Sequence, residues 1–148
     1  MKVLFDSSIY IRSLRDEGAT GLALLRWLGP APIWASSIVL DELYAGVSVR
    51  DHRIIQKLEQ EFEQANRLLV PNQRDWSRAG QLLNRIANKY GYENIGRSRL
   101  TNDALIASSA ARCGIEVITA NARDFARLAE VCPLQWRVGE IACPPIVC

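Results

Sequence analysis

Arg97-Ser-Arg99-Leu-Thr101-Asn102-Asp103-Ala-Leu-Ile-Ala-Ser-Ser-Ala-Ala-Arg-Cys-Gly114-Ile-Glu-Val-Ile118-Thr119-Ala-Asn121-Ala-Arg-Asp124-Phe125 reads as loop, helix, turn, strand and loop. Thr101 or Asn102 can cap a helix whose Leu105, Ile106, Ala110 and Ala111 favour burial, and Gly114 supplies the left-handed position that ends such helices. Ile115 to Ile118 is a short β-branched run, as in a strand buried inside a parallel sheet. This reading places Asp103 in the first turn of the helix, with Asn121 and Asp124 just past the strand's carboxyl end. In open α/β sheets, ligands bind in the crevice outside those ends. Taken singly, each acid is an ordinary cap or loop residue; their meaning depends on what the rest of the chain brings to the same crevice.

Working outward, Lys2 to Phe5 is a short apolar strand with Asp6-Ser7-Ser8 at its end, and Ile9 to Leu14 looks helical. A second helix runs from Ala19 to Leu28, a strand from Ile33 to Ala35, and Ser36-Ser37 starts a helix ending at Gly46. Asp51 to Asn66 carries Ile54, Ile55, Leu58 and Phe62 at helical spacing. Leu68 to Val70 before Pro71 is a brief strand, and Asp75 can cap a helix reaching about Tyr90. After an irregular stretch from Tyr90 to Ser98 comes the decisive segment, then a helical turn from Phe125 to Leu128 and an edge strand from Leu134 to Val138. Strands alternating with helices predict an α/β chain: a three-layer α/β/α sandwich around a short, mostly parallel central sheet. Residues 1–148 read as a single domain, with 139–148 as a tail whose prolines keep it out of a sheet centre.

Composition narrows the classes. A chain of 148 residues buries roughly 70% of its unfolded surface in one core. A net charge of +2 announces no nucleic-acid partner on its own, although it hides any local basic patch. No apolar run approaches the ~20 residues of a membrane span, and no signal-peptide core opens the chain, so a cytoplasmic protein without membrane contact is expected. Cys113, Cys132, Cys143 and Cys148 form no C-x-x-C pair, and His52 is far from them, which argues against zinc. Reduced thiols are the default, with a Cys143–Cys148 disulfide left open.

Under this fold Asp6, Glu42, Asp103 and Asp124 converge by position alone. Two carboxylates 4 Å apart repel by ~1 kcal/mol in water and several-fold more at an effective dielectric of ~20. A hard divalent cation, Mg²⁺ or Mn²⁺, is the counter-charge that oxygen donors without soft ligands select. Such ions activate a water and steady the charge on a phosphate in an in-line displacement. Asp41 competes with Glu42, but neighbours on a helix point ~100° apart, so only one faces the crevice. Ser7 and Ser8 have no histidine or lysine base beside them and are read as hydrogen-bonding groups, not nucleophiles. Trp34 and Trp76 read as core residues, and Arg50, His52, Arg53 and Lys57 as a solvated helix face or an RNA-side patch.

Asp6-Ser-Ser8, Glu42-Leu-Tyr-Ala-Gly46, Asn102-Asp103-Ala-Leu-Ile-Ala107 and Thr119-Ala-Asn121-Ala-Arg-Asp124-Phe125 form an ordered set. Their set resembles the PIN-domain nucleases, and more narrowly the VapC-type toxins of bacterial toxin–antitoxin pairs. The resemblance covers nearly the whole chain, although no one motif is specific. It implies a PIN fold, a homodimer, metal-dependent endoribonuclease activity on RNA, and a small antitoxin whose C-terminal part blocks the site. Carried over by position, Asp6, Glu42, Asp103 and Asp124 are the acidic quartet, with the metal, Mg²⁺ or Mn²⁺, on Asp6, Asp103 and Asp124. Ser8 and Asn121 are supporting polar residues, and the match selects Glu42 over Asp41. Arg97 and Arg99, ahead of the Asp103 helix, read either as holders of RNA phosphates or as exposed loop arginines. The tail beyond Val138 departs from the family pattern. Among rivals, an aspartyl phosphotransferase would need a second Asp where Ser8 stands. A PIN-like module that only binds RNA or a partner would be favoured by loss of an acid, and none is lost.

Overall fold

The computed structural model describes residues 2–15, 32–92 and 98–139, with the backbone alone at Ser98 and Arg99. Its strands are β1 (Val3–Phe5), β2 (Ile33–Ser36), β3 (Leu68–Leu69), β4 (Glu116–Thr119) and β5 (Trp136–Val138). Its helices are α1 (7–15), α2 (Ser37–Gly46), α3 (His52–Gln64, entered by a 3-10 turn at Val49–Asp51), α4 (Gln73–Tyr90), α5 (Ser98–Cys113) and α6 (Ala122–Val131). The expected helix from Ala19 to Leu28 lies outside the described residues.

The strands form one parallel sheet in the order β3-β2-β1-β4-β5. Leu4 pairs with Trp34 on one side and Val117 on the other, so β1 is central. Successive strand residues face opposite sides, yet Val3, Leu4 and Phe5 are all buried, so helices cover both faces, as an α/β/α sandwich requires. Leu43, Ile55, Ile86, Leu105, Ile106, Phe125 and Leu128 fill these layers at no more than 1% exposure. Each such side chain contributes about 1.5–3 kcal/mol relative to exposure. The chain steps outward from β1 through β2 to β3, then returns to the other side of β1 with β4 and β5. The order therefore reverses between β1 and β4, and a crevice opens at their carboxyl ends.

Helix ends follow local chemistry with some differences from expectation. Ser36 caps α2 by accepting the Ile38 N–H at 3.2 Å. For α4 the cap is Asn72, not Asp75. Asn72 Oδ1 accepts the Asp75 N–H and Asp75 Oδ2 accepts the Asn72 N–H, each at 2.9 Å, a reciprocal capping box. α5 starts at Ser98, so Thr101 and Asn102 lie inside the helix and Asp103 lies beyond its first turn. Buried Leu100 extends the apolar face of Ala104 and Ala107 backwards, and that burial outweighs the capping preference of Thr101 or Asn102. Gly114, at φ 64°, ends α5 as expected: its N–H reaches Ala111 O, and the Ile115 N–H reaches Ala110 O. α6 runs well past Leu128 because Phe125 and Leu128 bury one stripe. Trp76, expected in the core, is 52% exposed, since Asp75, Ala79, Leu82 and Ile86 form the buried face of α4 and Trp76 points about 100° away.

A partly buried ion pair ties α4 to α5. Arg112 Nε and Nη2 donate to the Asp75 carboxylate at 2.8–3.1 Å. Burial alone pushes the Asp75 carboxyl up, but the Arg112 guanidinium and the Asn72 N–H outweigh it and hold the group below the usual carboxylate range.

Candidate active site

Asp6 is the first residue beyond β1. Its N–H donates to Ile118 O at 2.9 Å, and its carbonyl accepts the Ile9 N–H at 3.1 Å as α1 begins. The side chain is 4% exposed. Ser8 Oγ and Thr119 Oγ1 donate to the same oxygen, Asp6 Oδ2, at 2.8 and 2.9 Å. Each hydroxyl also accepts a backbone N–H, Ala120 to Ser8 at 3.1 Å and Asn121 to Thr119 at 2.9 Å. Those two N–H groups occupy acceptor positions and turn both hydroxyl protons toward the carboxylate. The two hydroxyls fix the orientation of the Asp6 carboxylate, by bonds of the kind that contribute about 1.5–3 kcal/mol each.

Asp6, Ser7, Ser8, Glu42, Asp103, Ala120 and Asn121 line one cleft of about 280 Å³. Three separate elements deliver its acids: the end of β1, helix α2 with Glu42, and helix α5 with Asp103, which is 3% exposed. Glu42 Oε1 accepts Asn102 Nδ2–H at 3.0 Å across the α2–α5 contact. Asp124 stands in the first turn of α6 and is not among the residues lining the cleft. It is joined to the cleft through Asn121, whose Nδ2 lies 3.0 Å from Asp124 Oδ2 and 3.5 Å from Asp103 Oδ2. Arg97 and the Arg99 side chain lie outside the described residues.

Thr119 and Asn102 are the site residues to which the sequence assigned no part in the site, Asn102 being read only as a possible helix cap. Both stand inside the quoted motifs, and a hydroxyl at the carboxyl end of a central strand was the available signal for Thr119.

The donors are hard oxygens, the chemistry that Mg²⁺ or Mn²⁺ prefers. Among the described residues no group of three His, Cys, Asp or Glu side chains is arranged to hold an ion. An ion held by Asp6 and Asp103 would keep water in its remaining positions, as Mg²⁺ commonly does.

The PIN domain family model matches residues 3–131. This chain belongs to the PIN domain family. The fold of this PIN domain is similar to a chain of DNA-bound VapBC from Salmonella typhimurium, with a TM-score of 0.65 and 22% identity over 93% of this chain and 98% of that one. It is also similar to VapBC2 from Rickettsia felis bound to a promoter DNA fragment, with a TM-score of 0.63 and 23% identity over 95% and 100% of the two chains. VapBC-1 from nontypeable Haemophilus influenzae gives a TM-score of 0.62 and 24% identity over 93% and 98%. At these identities the likeness concerns the fold. Comparison with curated proteins gives no match. Among the described residues of the PIN domain, no helix is long and apolar enough to cross a membrane.

Proposed function

We propose that this PIN domain is a metal-dependent endoribonuclease and the toxin of a toxin–antitoxin pair. The observation that carries the proposal is the convergence of Asp6, Glu42 and Asp103 from three elements on one cleft at the β1–β4 reversal point. Asp6 and Asp103 are the residues to hold Mg²⁺ or Mn²⁺, with Asp124 acting beside them through Asn121. When bound, such an ion activates a water and neutralises charge on the phosphate under attack. Ser8 and Thr119 hold Asp6 Oδ2, which leaves Oδ1 to face a ligand. Glu42, on the α2 side of the cleft, is placed to accept a proton from water entering it. Arg97 and Arg99 are proposed to bind RNA phosphates.

The similarity to VapC-type toxins and to VapBC chains supports a small antitoxin partner, a homodimer and a cytoplasmic location. An antitoxin arginine reaching Asp6 or Asp103 would form a charge-assisted bond and displace the cation's role. A second reading, a PIN module that binds RNA or a partner without cutting, draws on the fact that no three-residue metal cage is found among the described residues.

The test is cleavage of cellular RNA by partner-free protein with Mg²⁺, then EDTA, then Mn²⁺ add-back. Cleavage lost in EDTA and restored by metal, but absent in Asp6→Asn, supports the nuclease. Cleavage unaffected by EDTA rules out the metal mechanism, and no cleavage under any condition selects the binding module.

A further inference from the structure

Glu42 sits mid-helix on α2, and a Glu side chain has several rotatable bonds to order. The structure supplies an external tether. Asn102 Nδ2–H meets Glu42 Oε1 at 3.0 Å from α5, sixty positions away. Asn102 precedes Asp103, and neighbours on a helix diverge by about 100°. One turn of α5 therefore serves two acids: Asp103 enters the cleft as an acid, and Asn102 reaches across to the acid on α2. The amide orientation is dictated by chemistry, because an ionised carboxylate only accepts hydrogen bonds and the NH₂ must face it.

We infer that Asn102 is a positioning residue for Glu42, holding Oε1 so that the carboxylate is kept at the cleft wall. This inference rests on the proposed metal-dependent reading of the site. An amide suits the task where Lys or Arg would not. It orients an anion without a positive charge, so the cleft keeps the negative potential that attracts a divalent cation. Replacing a polar group that orients a metal-site residue commonly lowers metal affinity or activity by about 10–100-fold.

The experiment is a double-mutant cycle read by Mn²⁺ binding in calorimetry and, separately, by RNA cleavage, in wild type, Asn102→Ala, Glu42→Gln and the double variant. Asn102→Ala is expected to lower Mn²⁺ affinity and kcat by about 10-fold, and to have no further effect once Glu42 is Gln. Asn102→Asp is a near-isosteric second variant that fits the same space. It sets two carboxylates against each other, and the acid limb of its pH–rate and pH–Mn²⁺ profiles should move to higher pH. Equal, additive losses in both backgrounds would overturn the inference, as would folded Asn102→Ala and Asn102→Asp with wild-type affinity and pH profiles. Wild type that binds Mn²⁺ with the expected coupling but cuts no RNA would remove the nuclease reading and leave the Asn102–Glu42 assignment standing. Wild type that binds no Mn²⁺ would overturn both.

Discussion

Thr119 Oγ1 lies 2.9 Å from Asp6 Oδ2, although 113 positions separate the two residues in the chain. Parallel pairing of β1 with β4 makes them neighbours, since Phe5 pairs with Ile118 and Asp6 and Thr119 are the next residues along. The contact is buried, and it joins the strand end that carries the first acid to the strand end that leads to Asn121.

Thr119→Val keeps the volume and removes the donor. It should cost about 1–2 kcal/mol of stability in chemical denaturation, because the buried carboxylate and the Asn121 N–H each lose a partner. It should also shrink the rise in Tm produced by Mn²⁺. A lowered Tm with an undiminished Mn²⁺ response would show that Thr119 holds the fold and not the site.

Asp103→Asn should abolish most of the Mn²⁺ stabilisation, since mass action requires the ion to bind the native state. In EDTA the variant should be as stable as wild type or more so, by on the order of 1 kcal/mol, because a like charge beside Asp6 is gone. Thermal melts with EDTA and with Mn²⁺ check both halves. A less stable variant with an unchanged Mn²⁺ response would take Asp103 out of the metal site.

Arg112→Met leaves the Asp75 carboxylate buried at the α4–α5 contact without its guanidinium. At neutral pH the loss should be about 2 kcal/mol, below the 3–5 of a fully buried pair because the Arg112 side chain is 36% exposed. Asp75 titrates below its unfolded value, so the pair stabilises above about pH 4 and its contribution is lost as pH falls through the depressed folded pKa. Urea midpoints of wild type and variant should therefore converge as pH drops below 4. A gap that stays constant down to that range would mean the side chain acts through packing alone.

Gly114→Ala tests the end of α5. A Cβ there meets nothing within 4 Å, so the cost is confined to the backbone at φ 64°. About 1 kcal/mol should be lost in denaturant unfolding, with RNA cleavage and Mn²⁺ affinity unchanged. A loss several-fold larger would mean that the turn into β4 had shifted.

What the sequence determined by itself was set by short-range forces. The β-branched run before Thr119, the helical spacing around Ile55 and Leu58, and the left-handed turn at Gly114 each depend on residues a few positions apart. Alternating strands and helices then leave little choice but a parallel sheet with its acids at the carboxyl ends. Tertiary structure decided the rest, because each remaining question turns on which face is buried against a distant element. Asn72, not Asp75, caps α4 because Asp75 is turned inward to meet Arg112. α5 starts at Ser98 because Leu100 is buried, and Trp76 faces solvent because it lies off the stripe that packs. Asp124 follows its strand as expected, and the packed structure joins its carboxylate to the cleft through the Asn121 amide. Residue types and periodicity bring acids to a common edge; only the packed sheet and helices determine which oxygens face one another across it.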